Sequence, residues 1–225
     1  MRWLLSIVVT VMSAGSAAQV SGIVSLVSDY RFRGVSLSNG QPAAQVDLGF
    51  DHETGLYAGL FASNVRLYDE SSSQGQAVAY AGYAQRLRNG LDLDFGASYT
   101  GFSDDTVYDY SEVYAGFTTA SLDGHIHFAP NYFGQSVRTI YAELNGSRRL
   151  TDKIRLIGHA GMLKIVSGSL SDTRPNVDER AGFEIAFRAI RLQVSRVASQ
   201  GSTGVYPVSG RQSNDAWLAM VSYSF

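Results

Sequence analysis

The chain has 225 residues, of which 45% are hydrophobic and 17% charged, with a net charge of −2 and no cysteine. This balance excludes a disordered chain and a bundle of membrane helices, and the lack of a basic excess argues against nucleic acid as a partner. Disulfides and thiolate metal sites are excluded as well. Thirteen tyrosines, 11 phenylalanines and 23 glycines against 4 prolines suit strands joined by tight turns.

The first residues, MRWLLSIVVTVMSAGSAAQV, carry one positive charge at Arg2, an apolar core from Trp3 to Met12 and small residues around Ala17. That is the layout of a secretory signal peptide, with cleavage expected after Ala18 and a working chain of residues 19–225. The apolar core falls well short of the ~20 residues of a spanning helix. Without Arg2 the balance becomes 17 basic against 20 acidic residues, a net charge of −3.

From residue 22 onward the recurring signal is period-two alternation. It predicts strands at 22–33, 43–51, 56–65, 76–87, 91–102, 110–119, 124–133, 138–148, 153–165, 177–188, 191–199 and 214–225. In the fifth, Leu91, Leu93, Phe95, Ala97 and Tyr99 share one face and Asp92, Asp94, Gly96, Ser98 and Thr100 the other. In the tenth, Val177, Glu179, Ala181, Phe183, Ile185 and Phe187 oppose Asp178, Arg180, Gly182, Glu184 and Ala186. In the last, Trp217, Ala219, Val221, Tyr223 and Phe225 form the apolar row. Pro130 breaks the seventh, because a strand inside a barrel cannot spare an N–H.

Long polar connections such as RLYDESSSQG, VSGSLSDTRPN and QGSTGVYPVSGRQS alternate with short turns such as HETG, RNG and LTDK. One rim of the sheet therefore carries loops and the other turns. The expected fold is all-β, an antiparallel up-and-down transmembrane β-barrel of about 12 strands. A soluble barrel would alternate too, with its apolar face inside. The charges on the other face are too many for a dry core, since an unpaired buried charge costs several kcal/mol. The apolar face is therefore expected to meet lipid. Tyr30, Phe32, Tyr57, Tyr99, Trp217 and Tyr223 then form aromatic girdles at the membrane interfaces. The terminal strand WLAMVSYSF resembles the signal read by the barrel-insertion machinery, with Tyr223 and Phe225 as its key positions.

The stretch VSDYRFRGVSLSNG, residues 27–40, and the string GLYAGLFASNV, residues 55–65, resemble the proteobacterial TorF-like porin family, also described as the Gcw_chp group. The resemblance implies an exported outer-membrane barrel of porin type, without catalytic residue or cofactor and without an established substrate. Asp29, Arg31, Arg33, Gly34, Ser36 and Asn64 are the positions that match its motif.

The functional reading is a porin of the Gram-negative outer membrane that passes small hydrophilic or anionic solutes by diffusion through a narrow charged lumen. Its partners are outer-membrane lipid and lipopolysaccharide, the insertion machinery and the solutes. Rings of charge at a constriction set selectivity. The pore-lining candidates are Asp29, Arg31, Arg33, Asp47, Asp92, Asp94, Glu112, Glu143, Arg155, Arg180, Glu184 and Arg191. In this reading the first strand runs through Arg33, with Tyr30 and Phe32 toward lipid and Asp29, Arg31 and Arg33 toward water. His125 and His127 share a face at a spacing that two metal ligands use, but stand beside a turn, so no metal is assigned. His159 is expected in the lumen, paired with Glu143 or Glu184 in a structural role. The alternatives are a closed barrel that binds through its loops and an outer-membrane hydrolase; no G-x-S-x-G signature supports the latter.

Overall fold

In the structure, a computed structural model, residues 18–67, 74–87, 90–171, 173–208 and 213–225 are described. The signal peptide expected at residues 1–18 lies almost wholly outside them. Twelve strands form one closed antiparallel barrel: β1 (Ala18–Val27), β4 (Ala43–His52), β5 (Leu56–Val65), β6 (Gln74–Arg86), β7 (Asp92–Phe102), β8 (Tyr110–Thr118), β9 (Leu122–Ala129), β10 (Arg138–Arg149), β11 (Ile154–Ser167), β12 (Asn176–Phe187), β13 (Ile190–Gln200) and β14 (Asp215–Ser224). Two further short strands, β2 (Arg31–Phe32) and β3 (Val35–Ser36), pair only with each other. The chain thus builds the all-β barrel expected from its alternation, with boundaries shifted by a few residues for most strands.

Closure is made where β1 meets β14, in the register Ile23 to Val27 against Ser224 to Met220. The last residue extends this seam. Gly22 and Phe225 exchange both backbone hydrogen bonds, at 3.0 and 2.9 Å. The Phe225 ring lies where a Cβ on residue 22 would stand, so glycine there lets the terminal ring rest on the β1 backbone. Each of the twelve barrel strands is paired on both sides, which is how strands satisfy their backbone in lipid.

The outward row of each strand is apolar and exposed, as Leu60, Phe95, Tyr99, Val113, Ile126, Phe183, Trp217, Tyr223 and Phe225 illustrate. Inward glycines make room for inward rings. A Cβ on Gly82 would stand 2.4 Å from the Tyr57 hydroxyl, and one on Gly96 2.3 Å from that of Tyr114. Each tyrosine can therefore lie flat along the wall of the next strand instead of crossing the lumen.

Two expectations need correction. β9 ends at Ala129, and Pro130 begins a connection in which Tyr132–Gly134 make one 3-10 turn with Phe133 at φ 47°. The missing proline N–H is thereby kept out of the ladder. Second, β1 ends at Val27. The chain then leaves the wall, and residues 28–42 turn into the barrel around the β2–β3 hairpin. Tyr30 and Phe32 are consequently not lipid-facing but pack against the buried cluster inside the barrel. Tyr57 also points inward, where its hydroxyl meets Asp94, so of the six rings expected in girdles only Tyr99, Trp217 and Tyr223 are outside.

The core sits at the loop end of the lumen. Val35 and Leu37 from the hairpin, Tyr132 and Phe133 from the β9–β10 connection, and Val205 and Tyr206 from the β13–β14 connection are all at most 1% exposed. They pack on inward residues of the wall, among them Val65, Phe102, Tyr110, Tyr141, Leu163 and Ile165. Three of the long connections therefore roof the barrel. Leu60 lies on the lipid face at mid-strand, so Leu60→Arg should lower the unfolding free energy by about 2–4 kcal/mol, whereas Gln85→Arg near the short-turn rim should cost about 0–1 kcal/mol. Denaturant titration of the barrel in phospholipid vesicles measures both.

Candidate functional site

The hairpin turns on Arg33 and Gly34, both with positive φ, 52° and 80°. This is the geometry of a two-residue I′ turn, which twists with the strands it joins but is unfavourable for a residue with a side chain. The cost at Arg33, about 1–3 kcal/mol for such backbone strain, is offset by what the turn presents. Arg33 donates from Nη1 and Nη2 to the two carboxylate oxygens of Glu112 on β8, at 2.9 and 2.8 Å, and from Nη1 to the Tyr132 hydroxyl at 3.1 Å. The guanidinium stands over the rings of Tyr141, Phe32 and Tyr132 at 4.2, 4.7 and 5.4 Å. Burial holds the Tyr132 phenol well above its usual range, so it stays neutral beside the cation.

The string VSDYRFRGVSLS is the wiring of this hairpin. Asp29 accepts from Ser36 Oγ at 2.5 Å, from Ser38 Oγ at 3.0 Å and from Arg31 Nε at 2.8 Å. Arg31 also reaches the carbonyls of Gly34 and Ser213, tying the hairpin to the connection that precedes β14. The second string fastens its exit: Asn64 accepts from the Ala44 N–H at 2.7 Å, and the Arg66 N–H donates to Leu37 O at 2.7 Å. Asp29, Arg31, Gly34, Ser36 and Asn64 thus fold and fasten the hairpin, and Arg31 and Gly34 also line the smaller cavity beneath it. Among the described residues, Arg33 is the member of the opening stretch that pairs with a charged group of the wall.

Below the hairpin are two cavities. The larger, about 570 Å³, runs from Tyr30, Phe32 and Arg33 to Asp92 and Thr118 near the short-turn end. The smaller, about 240 Å³, lies under Arg31 and Gly34 against Tyr141, His159, Asp178 and Arg180. Asp94 accepts from the Tyr57 hydroxyl at 3.2 Å and lies 3.3 Å from His125 Nε2. Glu143 stands 3.7 Å from His127 and 3.9 Å from both His125 and His159. His159 joins Asp178 at 2.8 Å and Asn145 at 2.7 Å; of its two expected partners Glu143 is near, at 3.9 Å, while the closest carboxylate is Asp178, one inward position along β12 from its register partner Arg180. Among the described residues no set of three or more histidines and carboxylates has a geometry that could hold a metal.

The remaining candidates fall on two sides. Asp47, bonded to the Tyr80 hydroxyl at 3.3 Å, joins Asp92, Asp94, Glu112 and Glu143 on the β4 to β10 side. Asp92 lies at the rim in an exposed pair with Arg86. Arg155, opposite Glu184 in register, and Arg180 and Arg191 belong to β11 to β13. Most acidic candidates therefore gather on one side, while the arginines of the other side share it with Asp178 and Glu184. That distribution was not foreseen, because alternation tells which face a residue is on but not which wall.

Residues 12–225 match the family model described as "Bacterial protein of unknown function (Gcw_chp)". The chain belongs to the Gcw_chp family. In fold this Gcw_chp barrel is similar to the KdgM porin, with a TM-score of 0.56 at 10% identity over 91% of this chain and 99% of that one. It is similar too to the COG4313 outer membrane channel from Pseudomonas putida F1, with a TM-score of 0.56 at 13% identity over 94% and 96%. The NanC porin gives 0.54 at 11% identity over 91% and 99%. At such identities these likenesses concern the fold, an outer-membrane barrel. No curated protein matches the Gcw_chp chain in sequence.

Arg33 and Glu112 are both nearly inaccessible, with side chains 5% and 7% exposed. Arg33→Met should cost about 3–5 kcal/mol, because it leaves Glu112 buried with His127, 3.9 Å away, as its remaining basic neighbour, while adding Glu112→Leu should recover most of the loss. Denaturant unfolding in vesicles, with hydrogen exchange of the residue 28–42 amides, reads this pattern.

Proposed function

We propose that the protein is a porin-type channel of the Gram-negative outer membrane, in keeping with the TorF-like resemblance, and that it passes small hydrophilic solutes through the lumen. The observation that carries this reading is the charge-lined cavity of about 570 Å³ running from the exposed short-turn end up to the hairpin. Eight strands already suffice to enclose a filled interior, so twelve leave room for such a space. The barrel fold shared with porins supports the same reading.

In this reading the hairpin of residues 28–42 is the gate. It closes the loop-side mouth from within and is held to the wall chiefly by Arg33 and Glu112. Solute passage requires it to swing aside, so the resting channel conducts rarely. The arginines at 31 and 33 then act on opening rather than on selectivity, and selectivity falls to the charged walls below. An inward roof is also what a barrel that never conducts would have, and one experiment separates the two.

Planar-bilayer recording is that experiment. The wild-type barrel should show sparse openings, and Arg33→Ala should raise the open probability about tenfold or more, as the loss of roughly 1.4 kcal/mol of closing free energy requires. A correctly folded Arg33→Ala barrel that stays silent would leave the closed structural barrel as the better reading.

A further inference from the structure

The short-turn rim of the barrel is not uniform in charge. The β10–β11 and β12–β13 turns lie side by side, with the Ala186 N–H donating to the Lys153 carbonyl at 2.9 Å. Residues 148–156 and 184–191, which make these turns, carry Arg148, Arg149, Lys153, Arg155, Arg188 and Arg191 against two acidic residues, Asp152 and Glu184. All six basic residues are exposed, and among the described residues none has a carboxylate oxygen within 4.0 Å. Elsewhere on the same rim the β4–β5 turn is acidic, with Asp51 and Glu53.

Three of these cations belong to the lipid side. Arg148 stands opposite Leu156 in register, in the outward row of β10. The Lys153 ammonium and the Arg188 guanidinium lie 6.0 and 5.7 Å from the centroid of the Phe187 ring, which is 58% exposed on the outer face. Phe187 is opposite Ile190, and Ile190 is opposite Tyr223, so an exposed apolar and aromatic row ends the wall here. Rings in such a row sit at the headgroup level. The cations are therefore where lipid phosphates lie, and the exposed Leu156, Ile185 and Leu192 continue toward the middle of the membrane. Arg188 also holds φ 55°, a strained conformation for a residue with a side chain. At Arg33 that conformation presents a guanidinium to a carboxylate of the chain; at Arg188 the chain supplies an aromatic ring and no anion.

We infer that this part of the rim binds an anionic glycerophospholipid of the inner leaflet. The short turns of such barrels face the periplasm, and basic side chains at a membrane surface attract anionic headgroups. The headgroup sits over Phe187, where Lys153 and Arg188 donate to its phosphate and Arg148 adds positive charge from the neighbouring strand. The acyl chains run along Phe187, Ile185 and Leu156. An acidic protein segment would match the charge but would have no use for the apolar floor beneath it. The inference goes beyond the channel reading and needs the membrane barrel alone, neither the gate nor conduction.

Native mass spectrometry tests it, with the full barrel released from micelles that contain equal amounts of phosphatidylglycerol and phosphatidylethanolamine of the same acyl chains. The wild type should retain phosphatidylglycerol about tenfold or more over phosphatidylethanolamine. Lys153→Gln and Arg188→Gln should each lower that preference about three- to fivefold, and the double variant should abolish it. Arg188→Lys, which keeps the charge, should preserve it. Lys164→Gln removes the same charge from an exposed position near the loop end of β11, opposite Ile140, and should leave the preference unchanged. Heat-modifiable gel mobility checks that each barrel is folded. No preference in the wild type, a preference kept in the double variant, or an equal loss in Lys164→Gln would overturn the proposal. Silence in planar bilayers does not bear on it, so this site and the channel reading fail separately.

Discussion

The interior of this barrel is organised by a guanidinium that reaches across to one carboxylate. Arg33 and Glu112 are almost wholly withdrawn from water, and neither charge is tolerable without the other. Because Arg33 is on the tip of an inward turn and Glu112 on the wall, their pairing holds a connection of the chain inside the lumen. The roof follows from that contact. The apolar side chains of three connections pack around the hairpin at the loop end, and the polar space that is left becomes a cup facing the short turns.

The wall obeys a separate constraint. Its outer surface must be apolar and its backbone fully paired, and the strands meet both demands by alternation and closure. The seam is completed by the terminal residue, whose ring lies on Gly22 while its backbone pairs with it. Inside, the same alternation serves the site. Inward glycines on one strand let the tyrosines of another lie along the wall, so the cavity has flat aromatic sides instead of a lumen filled by rings.

Most of the wall was legible because one variable, period-two polarity, carries it. The outward rows of β7, β12 and β14 are those the alternation picks out, and Pro130 marked the place where the seventh strand had to stop. The hairpin was not legible for a physical reason. Asp29 to Arg33 alternate aromatic and charged residues as well as any wall strand does, and an arginine is not the residue that announces a left-handed turn. The signal that distinguishes it is the pair of serines, Ser36 and Ser38, placed to donate to Asp29, a hydrogen-bonding purpose that a lipid-spanning strand does not have. The distribution of charge between walls was hidden too, since it depends on which strands are opposite in the closed barrel.

The central claim is that residues 28–42 close the lumen and must move for it to open. Gly34 packs on Ser199 of β13, with an ideal Cβ at residue 34 only 2.7 Å from that of Ser199, and the chain has no cysteine of its own. Gly34→Cys with Ser199→Cys would therefore place a lone pair of thiols side by side, and once the turn tip backs off by about 1 Å to the ~3.5–4.5 Å Cβ spacing of a disulfide, the bridge tethers the hairpin to the wall. Recording from this variant in a planar bilayer before and after reductant tests the claim most directly. The account predicts silence while the bridge is oxidised and openings once it is reduced; equal conductance in both states would contradict it.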